Sequence, residues 1–320
     1  MYARAVLAII RDNLDSDGRL PRDFTMPKDL DDESSILFAD GAQDGITYFH
    51  TQPGKLNDEE ADLLVDALNE TVRGHIDAAD ELFLKLTKTR RTIEFAGILS
   101  AIVEENADTI NPIHAYSYGK HLIALAKDKE LVKIGLALHH KAPEDKVKGF
   151  RQIIMDLAYC NEFTWFCLPL IQKWDDGNDL IFDIAKHVYG WGRVHACAFL
   201  EPETWEMKKW FLEEGVDNGV MPSYTALEAW NKSDAASLLD SCLTQKDFSC
   251  IRRMMAALLD EGPCLGISLV EDPETAIRKF LNQAKNFELS PDDYDLIKAI
   301  EERWDKDEQI ANLCEELISR

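Results

Sequence analysis

The sequence predicts an all-α fold built from antiparallel helix pairs, and three observations support this prediction. Apolar residues recur at helical spacing through most of the chain, as in Ile181, Ile184, Ala185 and Val188, which share one helical face. The connections between the predicted helices are short, as the packing of helix hairpins requires. Glycines and prolines fall mainly at the ends of the periodic segments, where helices stop.

The stretch from residue 180 to residue 230 shows this organisation most clearly. It predicts four helices joined by short turns, and it contains four of the seven tryptophans. Gly190 and Gly192 flank Trp191, so a tight turn between helices is expected there. Thr204 is in a suitable position to cap the helix that follows Pro202. The stretch therefore indicates architecture, but it contains no motif that names a reaction.

The chain resembles proteins with HEAT or armadillo repeats, whose inner helices often begin with a V-R-x-x-A-x-x-x-L pattern. Arg193, Val194, Ala196 and Leu200 follow this pattern with the Arg and the Val in reversed order. Residues 131–135 show a second similarity, because they align with residues 181–185 about 50 residues further on, slightly more than the repeat period of roughly 40–47 residues in such proteins. The resemblance implies a right-handed α-solenoid of stacked antiparallel helix pairs.

Residues 1–56 are predicted to form an N-terminal cap, and residues 57–320 a helical repeat array. In the cap, one helix is expected over residues 2–14. Two short strands over residues 35–39 and 46–50, with a loop over residues 40–45, would form a β-hairpin that packs on the first helices. The array begins at Asn57, whose side chain suits a helix N-cap and precedes three acidic residues.

Composition narrows the classes of partner. The formal net charge of −24 disfavours nucleic acid and anionic membrane surfaces, because both bind proteins mainly through Lys and Arg. The seven cysteines have irregular spacing and no C-x-x-C pair, which is typical of reduced core residues in a cytoplasmic protein. The six-residue apolar run at residues 5–10 is too short for a secretory signal.

The best candidate site combines aromatic and ionisable residues near the central turn. Trp191, Arg193 and His195 lie close together in sequence, and Glu201 and Trp205 follow within about one helix. Tryptophan and arginine dominate the energy of many protein interfaces, so these five residues are candidates for binding a partner or ligand. The alternative is structural, with Trp191 in the core and Arg193 joining neighbouring repeats through a buried acidic residue.

Other chemistry has less support in the sequence. His195 and Cys197 point to different sides of a helix, so they cannot act as a nucleophilic pair. His114 and His121 share a helical face, but no third metal ligand accompanies them. Glycine-rich phosphate loops and nucleophile elbows are absent from the sequence. We therefore predict no catalytic residue, no metal and no cofactor.

The sequence is compatible with two functions. The first is a non-enzymatic binding or scaffold protein that uses the concave surface of the array for a protein partner. The second is an enzyme or small-ligand receptor with a site near Trp191, Arg193, His195 and Glu201. The two functions differ in what they require of Arg193 and His195, because a ligand site needs these side chains to be accessible.

Overall fold

The computed structural model describes residues 1–28, 38–51, 55–106, 110–143 and 148–319. These residues contain 18 α-helices and three short 3₁₀ helices, and no strand is present among them, so the all-α prediction is confirmed. By internal contacts the chain divides into two compact units, Met1–Phe199 and Leu200–Arg320. The predicted division at residue 56 falls inside the first unit.

The first unit contains eleven of the α-helices described. They are α1 Val6–Arg11, α2 Ala42–His50, α3 Asp58–Arg73, α4 Ile76–Thr87, α5 Thr92–Glu105, α6 Pro112–Leu125, α7 Lys129–Ala137, α8 Arg151–Ala158, α9 Thr164–Ile171, α10 Gly177–His187 and α11 Trp191–Phe199. Helices that are adjacent in sequence pack together as α3 with α4, α6 with α7, α8 with α9 and α10 with α11. Phenylalanines 83, 95, 163 and 166 are fully buried between these helices.

The N-terminus of the first unit contacts helices that lie far along the chain. The backbone N–H groups of Tyr2 and Val6 donate hydrogen bonds to the carbonyls of Lys127 (2.7 Å) and Ala126 (2.9 Å). Helix α1 packs on α6 and α8, where Arg11 pairs with the buried carboxylate of Asp156. These contacts join the beginning of the chain to helices that come more than 100 residues later.

The second unit contains the remaining seven α-helices described. They are α12 Trp205–Glu214, α13 Ala226–Lys232, α14 Ala235–Leu238, α15 Gln245–Leu259, α16 Pro273–Ala284, α17 Pro291–Arg303 and α18 Glu308–Ile318. Helix α15 packs on α12, α13 and α17, and α16 and α17 both pack on α18. In the core, the Phe248 ring stacks on those of Phe280 and Phe287 at centroid distances of 5.4 Å and 4.6 Å.

Local capping signals fix several helix starts where the sequence places them. The Asn57 side chain accepts a hydrogen bond from the Glu60 N–H, and the Glu60 carboxylate accepts one from the Asn57 N–H. Ser290 caps α17 in the same reciprocal way, and Thr204 accepts a hydrogen bond from the N–H of Met207 at the start of α12. Each cap satisfies N–H groups that a helix cannot satisfy internally.

The predicted β-hairpin is wrong over its second strand. Residues 46–50 lie in α2 and not in a strand. Of the first strand, residues 35–37 lie outside the described residues, and Phe38 and Ala39 have no regular secondary structure. The β-branched and aromatic residues of this segment favour a strand locally, but tertiary packing overrides this preference, because Gly41 and Gly45 allow the backbone to approach Trp191 closely.

Within the residues that the structure describes, no helix is long and apolar enough to cross a membrane. All seven cysteines have free thiols, and six of them are buried, the exception being Cys242.

Gly45 tests how closely α2 packs on the rest of the first unit. A Cβ atom at this position would lie 2.0 Å from Cε3 of Trp191. We expect Gly45→Ala to lower the free energy of unfolding by about 1–3 kcal/mol, since overpacking forces neighbouring groups to move. Urea unfolding measures the effect.

Gly97→Ala is the matched control, because Gly97 also lies within a helix but a Cβ there meets nothing within 4 Å. We expect this change to stabilise the protein by roughly 0.5–1 kcal/mol, as removing glycine from a helix normally does. Equal stability of Gly45→Ala and the parent protein would contradict the observed packing of α2.

Candidate functional site

Trp191 is the first residue of α11 and is buried, with 5% of its surface exposed. Its ring lies 6.1 Å from that of Phe49 and 6.3 Å from that of His195, measured between centroids. Gly190 precedes it with φ = +120°, a left-handed conformation that favours glycine. The Asn161 side chain holds this turn, because it accepts a hydrogen bond from the Gly192 N–H at 2.7 Å and donates one to the Tyr189 carbonyl at 3.0 Å.

Arg193 is buried on α11 and binds the end of the preceding helix. Its Nε donates a hydrogen bond to the carbonyl of Val188 at 2.9 Å, and its Nη2 donates one to that of Lys186 at 3.1 Å. These carbonyls belong to the C-terminal end of α10, where no further helical N–H is available to them. The guanidinium therefore satisfies the end of one helix from the next. This role is structural, but these partners are backbone carbonyls and not the buried acid considered from the sequence.

His195 is also buried on α11, with 3% of its surface exposed. Its ring lies between Tyr48 and Phe49 of α2, at centroid distances of 5.9 Å and 6.2 Å. Burial lowers the pKa of His195 to about 3, so the imidazole is neutral at ordinary pH. Among the described residues, its Nε2 has no hydrogen-bond partner. The structure thus brings Trp191 and His195 together in an aromatic cluster that α2 covers.

Glu201 and Trp205 lie in the second unit and are both exposed. Trp205 occupies the first position of α12 with 70% of its surface exposed, the largest value for any large hydrophobic residue that the structure describes. The five predicted site residues therefore fall into two sets. Trp191, Arg193 and His195 are interior residues of the first unit, whereas Glu201 and Trp205 are surface residues of the second.

A cluster of ionisable residues in the first unit was not predicted from the sequence. Its centre is Lys133 of α7, whose side chain is 1% exposed. The Lys133 ammonium contacts three carboxylates, at 2.5 Å for Asp44, 2.9 Å for Glu130 and 2.7 Å for Glu162. These residues come from α2, from α7 and from the turn between α8 and α9, so one buried cation joins three parts of the unit.

The carboxylate oxygens that face away from Lys133 are also engaged. Glu130 accepts hydrogen bonds from the N–H (3.1 Å) and the hydroxyl (2.7 Å) of Thr92, the first residue of α5. Glu162 accepts one through Oε2 from the Gly41 N–H at 2.8 Å. Its Oε1, which contacts Lys133, also lies 3.1 Å from Nζ of Lys129. Only Oδ1 of Asp44 is buried without a hydrogen-bond partner in this part of the described structure.

Burial and the charge of neighbouring groups shift the pKa values of this cluster in opposite directions. Burial raises the pKa of Asp44 to about 6, although Lys133 opposes the shift. Burial would also raise the pKa of Glu130, but Lys133 and the Thr92 hydrogen bonds outweigh it and lower that pKa to about 2. For Lys133 itself, the nearby carboxylates outweigh burial and hold its pKa well above the usual 10.5. The ammonium is therefore charged throughout the ordinary pH range.

The arrangement is a cation site whose cation belongs to the protein. The oxygens of Asp44, Glu130 and Glu162 lie within 4.8 Å of one another, a spacing that suits a bound cation. Nζ of Lys133 lies among them and contacts each carboxylate. One signal in the sequence could have indicated this site, namely a lysine within the otherwise apolar run of residues 131–136.

Two other histidines, His114 and His121, were considered from the sequence as metal ligands. His114 lies within hydrogen-bond distance of the Val72 carbonyl, at 3.0 Å. Tyr118, between His114 and His121 on α6, donates a hydrogen bond to Asp80 at 2.6 Å. Within the residues that the structure describes, no group of three potential metal ligands includes a histidine.

The fold and these sites define an all-α protein whose first unit is organised around a buried ion network. In comparisons with protein-family models, with curated proteins and with solved structures, nothing matches this chain. Inferences about its function therefore depend on its own residues.

Arg193→Ala separates a structural role from a ligand-binding role. We expect this change to lower the free energy of unfolding by at least about 2 kcal/mol, because it leaves buried carbonyls without their donors. Arg4→Ala, which removes an exposed ion pair with Asp12, should change it by about 1 kcal/mol or less. Thermal unfolding of both variants tests this, and an unchanged melting temperature for Arg193→Ala would instead favour a ligand-binding role.

Lys133→Met tests the buried network. We expect it to lower the free energy of unfolding by about 3–5 kcal/mol, because three buried carboxylates lose their common cation. Lys129→Met is the matched control on the same helix, since Lys129 is 30% exposed and contacts only Glu162 of the three. A loss no larger than that of the control would show that Lys133 does not stabilise the unit.

Proposed function

We propose that the protein is a non-enzymatic binding protein whose partner is another protein, which contacts the surface around Trp205. The observation that carries this proposal is the 70% exposure of the Trp205 side chain. Tryptophan is enriched among the residues that dominate binding energy, because its large apolar surface gains much from removal of water. An indole that is exposed to solvent on the folded unit is therefore a suitable anchor for a partner.

Trp205 is held in a defined position on its unit. The Thr204 cap fixes the first turn of α12, and Met207 and Phe211 of the same helix are buried in the core. The backbone that carries the indole is therefore ordered before binding. A rigid aromatic residue loses less conformational entropy in a complex than one on a loose segment, which favours affinity.

The surroundings of Trp205 indicate the chemistry of the partner. Glu201, Glu203 and Glu206 are exposed around it, and Lys209 is exposed one helical turn further on, so carboxylates are in excess. The whole chain carries a formal charge of −24. A protein with an apolar pocket for the indole and basic side chains at its edge would complement this surface, and the opposite charges would also speed association.

The proposal includes the HEAT- or armadillo-type arrangement, a right-handed α-solenoid with a concave binding surface. It is supported by the packing of helices that are adjacent in sequence, such as α3 on α4 in the first unit and α17 on α18 in the second. In such an array the turns between helices line an edge of the concave surface. Trp205 is the first residue of α12 and directly follows the turn of residues 200–204.

The alternative function, an enzyme or small-ligand receptor near Trp191, Arg193, His195 and Glu201, has less support. The Arg193 guanidinium is engaged by the carbonyls at the end of α10, and the His195 imidazole is enclosed by aromatic rings. Neither side chain is accessible to a substrate in this conformation. Burial also lowers the pKa of His195 to about 3, which makes the imidazole a weak base.

Quantitative affinity capture from the native cell extract tests the proposal. We expect the parent chain to retain one or more proteins at least about tenfold better than Trp205→Ala does, since loss of a central tryptophan commonly costs more than about 1.4 kcal/mol. A retained protein is then purified and its Kd for the two forms is measured by calorimetry.

Ile113→Ala serves as the control, because Ile113 of the first unit is a large apolar residue that is 60% exposed. The Ile113→Ala variant should bind the retained protein with the same Kd as the parent chain. If no purified protein binds the parent chain, or if one binds Trp205→Ala equally well, the proposed surface is wrong.

A further inference from the structure

Helix α2 is docked on the first unit through polar and apolar contacts at once. At its start, the Gly41 N–H donates a hydrogen bond to Glu162, and the Asp44 carboxylate reaches Lys133. Along the helix, Gly45 lies against the Trp191 ring, and Phe49 stacks over His195. Just before the helix, Asp40 accepts a hydrogen bond from the Met26 N–H at 2.7 Å. The segment of residues 38–51 therefore places two carboxylates beside the buried ion network.

The charges of the network balance without these two carboxylates. Lys129 and Lys133 supply two positive charges, and Glu130 and Glu162 supply two negative ones. All four residues belong to α7 or to the turn before α9. Docking of residues 38–51 adds Asp44 and Asp40, and in ionised form these give the buried network an excess of negative charge. Protonation of either carboxyl group removes part of that excess.

We propose that α2 docks with uptake of protons, so that residues 38–51 are held more tightly in mildly acidic than in neutral solution. Asp44 and Asp40 form the proton-binding site, and docking of α2 is the equilibrium to which proton binding is coupled. When α2 undocks, the Lys133 network and the rings of Trp191 and His195 lose their cover. The consequence is a surface of the first unit whose exposure depends on pH.

The pKa values support this coupling. Burial raises the pKa of Asp44 to about 6. Burial also raises the pKa of Asp40 to about 6, although the Met26 N–H and the two lysines oppose the shift. In water both carboxyl groups would return towards the usual value of 3.8. At pH values between 3.8 and about 6, the docked state binds more protons than the undocked state. Docking therefore weakens as the pH rises through about 6.

The other ionisable groups around α2 come from several elements. On α7 and the turn before α9, these are Lys129, Lys133, Glu130 and Glu162, which carry the balanced charges. Arg90, Arg91 and Glu94 at the start of α5 line a cavity with Thr47 and Thr51, and Tyr48 and His50 lie on α2 itself. Cys160 stays a neutral thiol because burial raises its pKa well above 9, and His195 stays neutral because burial lowers its pKa to about 3.

Hydrogen exchange of the intact chain tests the proposal. The opening constant of the α2 amides is compared at about pH 5 and about pH 7.5, after correction for intrinsic exchange rates, with the amides of α9 as an internal reference. For Asp44 alone, a pKa change from 3.8 to about 6 predicts an opening constant about tenfold larger at the higher pH. We expect the α2 amides to show at least this ratio, whereas those of α9 should not.

Asp44→Asn should reduce this ratio by about tenfold, because the amide does not titrate, while leaving the contribution of Asp40. The matched control is Asp156→Asn, which alters another buried carboxylate of the first unit, paired with Arg11. It should keep the ratio of the parent chain. Equal α2 opening at the two pH values in the parent chain would overturn the proposal even if neither variant folds, and so would an unchanged ratio in Asp44→Asn.

Discussion

The arrangement of the first unit depends on one buried positive charge, which other groups must compensate. An ammonium group taken out of water is stable only if other polar groups replace its hydration. For Lys133, the carboxylates of Asp44, Glu130 and Glu162 replace the hydration, and these residues lie on separate elements. Because each of these carboxylates must reach the same nitrogen atom, their positions fix where α2, α7 and the turn before α9 meet. The contacts of α2 with Trp191 and His195 then follow from that placement.

The helical character of the chain could be predicted because its signals are local. Apolar spacing and capping residues such as Asn57 and Thr204 act within a few residues, and the structure confirms the helices that they begin. Helix α2 could not be predicted in this way. The run from Ile46 to Phe49 favours a strand by its residue types, and it is helical because Asp44 and Gly45 meet partners that come about 90 and about 150 residues later, respectively.

The candidate site also has features that the sequence predicts and features that depend on distant partners. The sequence groups Trp191, Arg193 and His195, and the structure buries all three, but Arg193 binds the end of α10 while the rings of Trp191 and His195 lie together. Periodicity cannot show whether such residues face solvent or the interior. Burial of Arg193 depends on the end of α10, and exposure of Trp205 depends on its position outside the second unit's core. The Lys133 network was missed because its members are spread over more than 100 residues. These placements also favour a function that uses the surface over one that uses the interior.

The protonation state of Lys133 is the most direct test of this account. NMR of the side-chain ¹⁵Nζ group, assigned by its loss in Lys133→Met, reports whether the nitrogen is an ammonium and whether it is shielded from water. The account predicts one slowly exchanging ammonium signal that persists at about pH 11, where ordinary lysines with a pKa near 10.4 have mostly lost their proton. A Lys133 signal that exchanges rapidly and titrates with the surface lysines would contradict it.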